Sequence, residues 1–186
     1  MAKARPITGL DAYAPTGKNA RIIAHTRLED LYAWESYVDS PLHIRELHNL
    51  RIATKRLRYT LEIFEEVLPE ACKPIIKELE LIQEELGMFH DCDVMLALLR
   101  LCLGSQEETF SEVEQARKEA VELQPELVAR LTNQIVAPST EERYGLGQLL
   151  LRQQENREKF YTTFRQHWYQ LQARDFRRQI LGILEI

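Results

Sequence analysis

His43-Ile44-Arg45-Glu46-Leu47-His48-Asn49-Leu50-Arg51-Ile52-Ala53-Thr54-Lys55-Arg56-Leu57-Arg58-Tyr59 is the stretch whose reading decides the fold. At ~100° per residue of an α-helix, with His48 at zero, Arg51, Lys55, Arg58 and Tyr59 fall on one side, and Arg45 and Arg56 lie at its margin. Leu50, Ala53, Leu57, Leu61 and Phe64 fall opposite. An apolar stripe of this width docks a helix on other helices. It does not require several cations grouped on the far side, and cations held close together invite an anion. An exposed charged face is nonetheless common on helices, so this pattern alone suggests a function without deciding it.

The rest of the chain has the same helical character. Its 186 residues, 45% hydrophobic with seven Gly and seven Pro, suit a single domain with a proper core. Long runs of Leu, Glu, Gln, Arg and Ala favour helix, and strand-like alternation is not sustained anywhere. The expected fold class is all-α, an antiparallel helical bundle with long helices. Residues 1–19, with Pro6, Gly9, Pro15 and Gly17, read as an irregular N-terminal arm, and residues 20–186 as one helical domain. Helix one is expected over Arg21 to Val38. Asp39-Ser40-Pro41 starts helix two, which runs to about Leu68 before Pro69. A third helix covers about Glu70 to Leu103 and is either continuous or bent at Gly87. One or two helices are expected between Glu107 and Val136, interrupted at Pro125. After the Pro138-Ser139-Thr140 loop a long helix runs from Glu141 or Leu146 to Ile180, carrying Phe160, Phe164, Trp168 and Leu171.

Charge and cysteine usage narrow the function classes. The formal net charge is −5, which argues against a globally basic nucleic-acid binder. Charge is sorted along the chain, however. Pro41 to Thr60 holds Arg45, Arg51, Lys55, Arg56 and Arg58 against Glu46 alone, whereas Glu62 to Glu85 holds eight acids against Lys73 and Lys77. Cys72, Cys92 and Cys102 have no metal-ligand spacing and fit buried thiols in a reducing compartment. No run approaches the ~20 apolar residues of a membrane span, and Met1 to Lys18 lacks the apolar core of a secretory signal. The expectation is a soluble cytoplasmic protein with no metal and no cofactor.

Guanidinium and ammonium groups at helical spacing offer a ladder of charge-assisted donors for phosphate oxygens. His48 adds a donor whose charge follows pH, and Tyr59 a neutral one. A second stretch, Leu86-Gly87-Met88-Phe89-His90-Asp91-Cys92-Asp93-Val94, carries two carboxylates. Two residues apart on a helix they diverge by about 160°, a poor arrangement for one metal or for an acid/base pair. One of them is better placed to orient an arginine of helix two. His90 beside Asp91 has no accompanying ligand set.

The two stretches together resemble a known family. His48-Asn49-Leu50-Arg51-Ile52-Ala53-Thr54-Lys55-Arg56-Leu57-Arg58 is similar to the signature helix of the CHAD family, the conserved histidine α-helical domain, whose pattern is close to H-x-L-R-x-x-x-R/K-R-L-R. Leu86-Gly87 with Asp91 and Asp93-Val94 resembles that family's L-G-x-x-R-D-x-D-V segment. The resemblance covers about residues 21–103, and the helix near Arg157 to Leu171 is more weakly similar to a later family helix. It implies non-catalytic binding of inorganic polyphosphate in a basic groove by an adaptor or granule-associated module. Carried onto this chain it nominates His48, Arg51, Lys55, Arg56 and Arg58 as phosphate-facing, with Asp91 and Asp93 in support. The residue reading adds Tyr59, Arg45 and Arg157 to the phosphate-facing set and His90 to the supporting one.

Two departures stand out. His90 occupies a position where the family usually has arginine, and one copy of the signature is present where fuller members carry two related repeats. Either the C-terminal half supplies the opposite wall through Arg157, Arg165 and Arg174, or a homodimer does. Arg21 and His25, one turn apart on helix one, are lesser candidates of the same kind. The alternatives in other classes are a phosphohydrolase acting on tri- or polyphosphate and a nucleic-acid-binding helical protein. The first lacks a Gly-rich phosphate loop or a convergent carboxylate set, and the second lacks aromatic platforms among the cations. Another protein of phosphate metabolism is a further expected partner.

Overall fold

A computed structural model describes residues 4–103 and 138–185. Every regular element among them is helical: α1 (Thr16–Tyr32), a single 3-10 turn (Glu35–Tyr37), α2 (Ile44–Ile63), α3 (Cys72–Leu103), α4 (Thr140–Ala173) and α5 (Phe176–Leu184). The helices expected between Glu107 and Val136 lie outside the described residues. None of the described helices is long and apolar enough to cross a membrane. By internal packing the chain divides into two compact units, Met1–Gly87 with Tyr161–Ile186, and Met88–Phe160.

In the first unit α1 packs along α2. α1 turns Ala20, Ala24, Leu28 and Leu31 inward, and α2 answers with Leu47, Leu50, Ala53, Leu57 and Leu61, all 2% exposed or less. These spacings of three and four keep one side of each helix in the core. Alanine at 20, 24 and 53 lets the two backbones come close. Gly17 serves the same approach, since a Cβ there would stand 3.1 Å from the Val67 carbonyl oxygen. Val67 lies just beyond the end of α2, so α1 and α2 run antiparallel. Ile75, Leu79, Ile82 and Leu86 of α3, Tyr161, Phe164, Trp168 and Leu171 of α4, and Phe176, Ile180 and Leu184 of α5 complete this core. The Tyr161 hydroxyl donates to the Val38 carbonyl at 2.8 Å, which satisfies a polar group that burial would otherwise leave without water.

Several helix limits differ from the sequence expectation for local reasons. α1 begins at Thr16 rather than Arg21, and it ends at Tyr32, where the chain tightens into the 3-10 turn. α2 begins three residues after Pro41, because residues 40–43 form a turn in which the His43 amide donates to the Ser40 carbonyl. The His43 ring packs edge-on against Tyr37, 5.2 Å between centroids. α2 stops at Ile63 instead of Leu68, with Phe64 leaving helical geometry at φ −103°. α3 runs through Gly87 without interruption.

The helix expected to reach Ile180 breaks after Ala173. Asp175 takes a left-handed conformation at φ 53°, which short polar side chains tolerate better than most. The turn is secured by the Asp175 amide on the Gln172 carbonyl at 2.9 Å and by the Gln179 side chain on the Arg174 carbonyl at 2.6 Å. Leu57, with no exposed surface, tests whether α2 is held by this core. Leu57→Ala is expected to lower unfolding free energy by about 2–5 kcal/mol, read from denaturant titration.

Candidate functional site

The docking of α2 through its leucines fixes where its cations point. Arg45 and Lys55 are exposed, while His48, Arg51, Arg56 and Arg58 are half-buried along the same helix. Tyr59 is 42% exposed and serves as a platform for two of them. The Lys55 ammonium lies 5.4 Å from its ring centroid and the Arg58 guanidinium 4.5 Å, both within cation–π reach.

The cations differ in how far the protein already satisfies them. Arg58 is held at both ends of its fork, with Nε donating to Gln83 at 3.2 Å and Nη1 paired with Glu62. Arg58 therefore enters any anion site with its charge already paired to a carboxylate. The i,i+4 spacing of Arg58 and Glu62 was visible in the sequence; the Gln83 contact from α3 was not. Arg51 is the opposite case. Its Nε is buried and finds no hydrogen-bond partner among the described residues, and its guanidinium lies beside Gly87 of α3. A buried donor without an acceptor is costly, about 1–3 kcal/mol, so this donor has much to gain from an incoming oxygen.

His48 sits one turn before Arg51. Burial and then the positive charge of Arg51 hold its pKa below the usual 6.5, so the imidazole is biased toward its neutral form until an anion arrives. On α1, the Arg21 Nε is likewise buried with no partner among the described residues, while His25 is exposed.

The remaining nominated residues divide between the two units. In the second, Asp93 is 5% exposed and pairs with Arg157 of α4 at 2.5 Å, whereas an arginine of helix two was the partner expected for this motif. The Arg157 guanidinium also covers the Phe89 ring at 4.5 Å. His90 is buried and Asp91 exposed. Cys92 and Cys72 are buried and Cys102 partly so. Burial pushes all three thiols above their ordinary pKa, which suits packing rather than reactivity.

In the first unit the arginines proposed for an opposite wall already have acids. Arg165 pairs with Asp39 at 3.0 Å and Arg174 with Glu78 at 2.6 Å. Tyr169 also donates to Asp39.

A separate cluster, missed in the sequence, ties α4 to α3 within the first unit. His167 places Nδ1 2.9 Å from Glu85 and Nε2 3.0 Å from Glu78. With a carboxylate at each nitrogen the ring is best served by donating from both, as imidazolium. The Glu85 bond leads in raising its pKa; burial opposes and Glu78 adds to the rise. Burial pushes Glu78 upward, but its bonds to Arg174 and His167 outweigh that and lower it.

The two histidines thus act in opposite directions on stability. The His167 contribution is fully present below about 6.5 and is lost as pH rises through its raised pKa; His48 costs stability as pH falls from about 6.5 toward its lowered one. Chemical denaturation across pH 5–9 is expected to show His167→Gln flattening the alkaline loss and His48→Gln flattening the acidic one.

A family model described as CHAD domain matches residues 6–100. No curated protein and no solved structure matches the chain.

Proposed function

The chain belongs to the CHAD domain family, and from that premise we propose that it binds inorganic polyphosphate, or a similar extended polyanion, on the outward face of α2 and performs no chemistry on it. The observation that carries this reading is the Arg51 guanidinium, whose buried Nε has no acceptor among the described residues, within a row of cations along one helix. Arg45 and Lys55 extend the row in either direction. Arg45 to Arg58 spans ~20 Å at 1.5 Å per residue, which suits a chain of phosphates better than a single one. His48 and Tyr59 supply hydrogen bonds, and Arg58, held in place by Glu62 and Gln83, offers a fixed edge rather than a full charge. Arg56 belongs to the same row at its margin.

In this role the module is an adaptor that recruits phosphate chains, or a protein handling them, in the cytoplasm or at polyphosphate granules. Because Arg157, Arg165 and Arg174 are each engaged by a carboxylate, the reading favours a second copy of the chain as the opposite wall of the groove. Like-charged faces repel until a polyanion lies between them, so association should depend on ligand.

Direct titration with polyphosphate is expected to show affinity falling linearly with salt on logarithmic axes, as for other polyelectrolytes, and rising with phosphate chain length. Exchanging Arg51→Glu together with Lys55→Glu should weaken binding by about a hundredfold or more, from two charged hydrogen bonds of about 1.5–3 kcal/mol each. Arg58→Gln should cost less. Full affinity in the double variant would sink the proposal. Release of phosphate that is lost in Asp91→Asn would favour a phosphohydrolase instead, and RNA competing on equal terms would favour a nucleic-acid binder.

Proton linkage gives an independent check. An anion beside His48 raises its depressed pKa, so binding takes up a proton and should strengthen as pH falls below about 6.5; His48→Gln should remove that dependence. Light scattering after size separation should find one chain without ligand and two on a phosphate chain about as long as the α2 face. A one-to-one complex would return the opposite wall to the chain itself.

A further inference from the structure

Gly87 lies in the middle of the 32-residue α3 and is buried, at a position where glycine is the poorest helix former after proline. Its backbone does not require it, since among the described glycines only Gly9 has a positive φ. Steric exclusion does not require it either. A Cβ at 87 would stand 3.5 Å from Arg51 Nε and 3.9 Å from Arg51 Nη2, ordinary van der Waals separations. A methyl group would fit against the resting side chain, but it would occupy the space next to a donor that has no acceptor among the described residues. An N–H needs an oxygen at about 2.9 Å, nearly in line, and the guanidinium must have room to turn to meet it.

We infer that Gly87 is a positioning residue for the anion site: the hollow left by its missing side chain is the room in which the Arg51 guanidinium turns its Nε–H toward a phosphate oxygen. The inference rests on the phosphate-binding reading of α2 and deepens it. It makes glycine a functional concession, retained against helix propensity so that one arginine stays adjustable. The Arg58 fork, locked by Glu62 and Gln83 about two turns further along α2, needs no such space, and Gln83 fills the α3 position facing it.

The test uses the whole chain and linear inorganic polyphosphate, with affinity from calorimetric titration and stability from thermal denaturation. Gly87→Ala is expected to raise the Tm by about 2–4 °C through better helix propensity while weakening binding about tenfold. Gly87→Leu is expected to weaken it further. In an Arg51→Lys background, which lacks the Nε–H, Gly87→Ala should change affinity less than twofold. Unchanged affinity in Gly87→Ala overturns the inference, and so does an equal loss in the Arg51→Lys background. A lowered Tm in Gly87→Ala would show that packing demands the glycine, and that too overturns it. Absence of binding by the unmodified chain would instead refute the phosphate reading beneath it.

Discussion

The placement of charge in this protein depends on the burial of one leucine stripe. A helix is rigid about its axis, so once Leu47, Leu50, Leu57 and Leu61 are sealed in the core, the direction of every other α2 side chain is settled. Gathering Arg45, Arg51 and Lys55 on the other side costs repulsion that nothing local repays. Each fully buried leucine contributes about 1.5–3 kcal/mol by leaving water, well above the few tenths that a like-charge pair on a helix surface costs. Core packing therefore imposes a charge arrangement that electrostatics alone would scatter.

The same unit treats its other charges differently. His167 is held between Glu78 and Glu85, Arg174 shares Glu78, and Arg177 pairs with Glu29 at 2.8 Å. Two of the acids that the sequence concentrates in Glu62 to Glu85, Glu78 and Glu85, are engaged by His167 of α4 and by Arg174 just beyond it. Arg177 also lies 4.9 Å from the Tyr32 ring, closing α5 onto α1. Compensation is thus concentrated where helices are clamped together. The more exposed Arg174 and Arg177 bridges contribute little to stability, and their main effect is to remove those arginines from service as anion donors.

What the sequence disclosed follows from which interactions are local. The all-helical class and the inward leucines of α2 depend on spacing along one helix, and the structure agrees with them; of the α2 cations it leaves Arg45 and Lys55 exposed and Arg51, Arg56 and Arg58 half-buried. The Arg58–Glu62 pair was equally local and could have been read from its i,i+4 spacing. The seat of Arg51 beside Gly87 joins positions thirty-six apart, and the His167 clamp joins positions more than eighty apart; no periodicity announces such pairs. The break at Asp175 escaped notice because neither Gly nor Pro marks it, and aspartate in a left-handed turn is only one of several states that residue commonly adopts. The α2 limits moved inward for a related reason: Pro41 permits a helix start but does not compel one.

The first unit is assembled from segments far apart in the sequence, with Tyr161 reaching back to Val38 and α5 returning to α1. During synthesis at about 5–20 residues per second, roughly a hundred residues separate the emergence of α2 from that of Phe164 and Trp168. For an interval of about 5–20 s the cationic helix is outside the ribosome while the aromatic side chains that close its core are still being made. Until then the α2 leucines lack the aromatic partners that complete their burial, so the helix that carries the cations is among the last parts of this unit to be fixed in place.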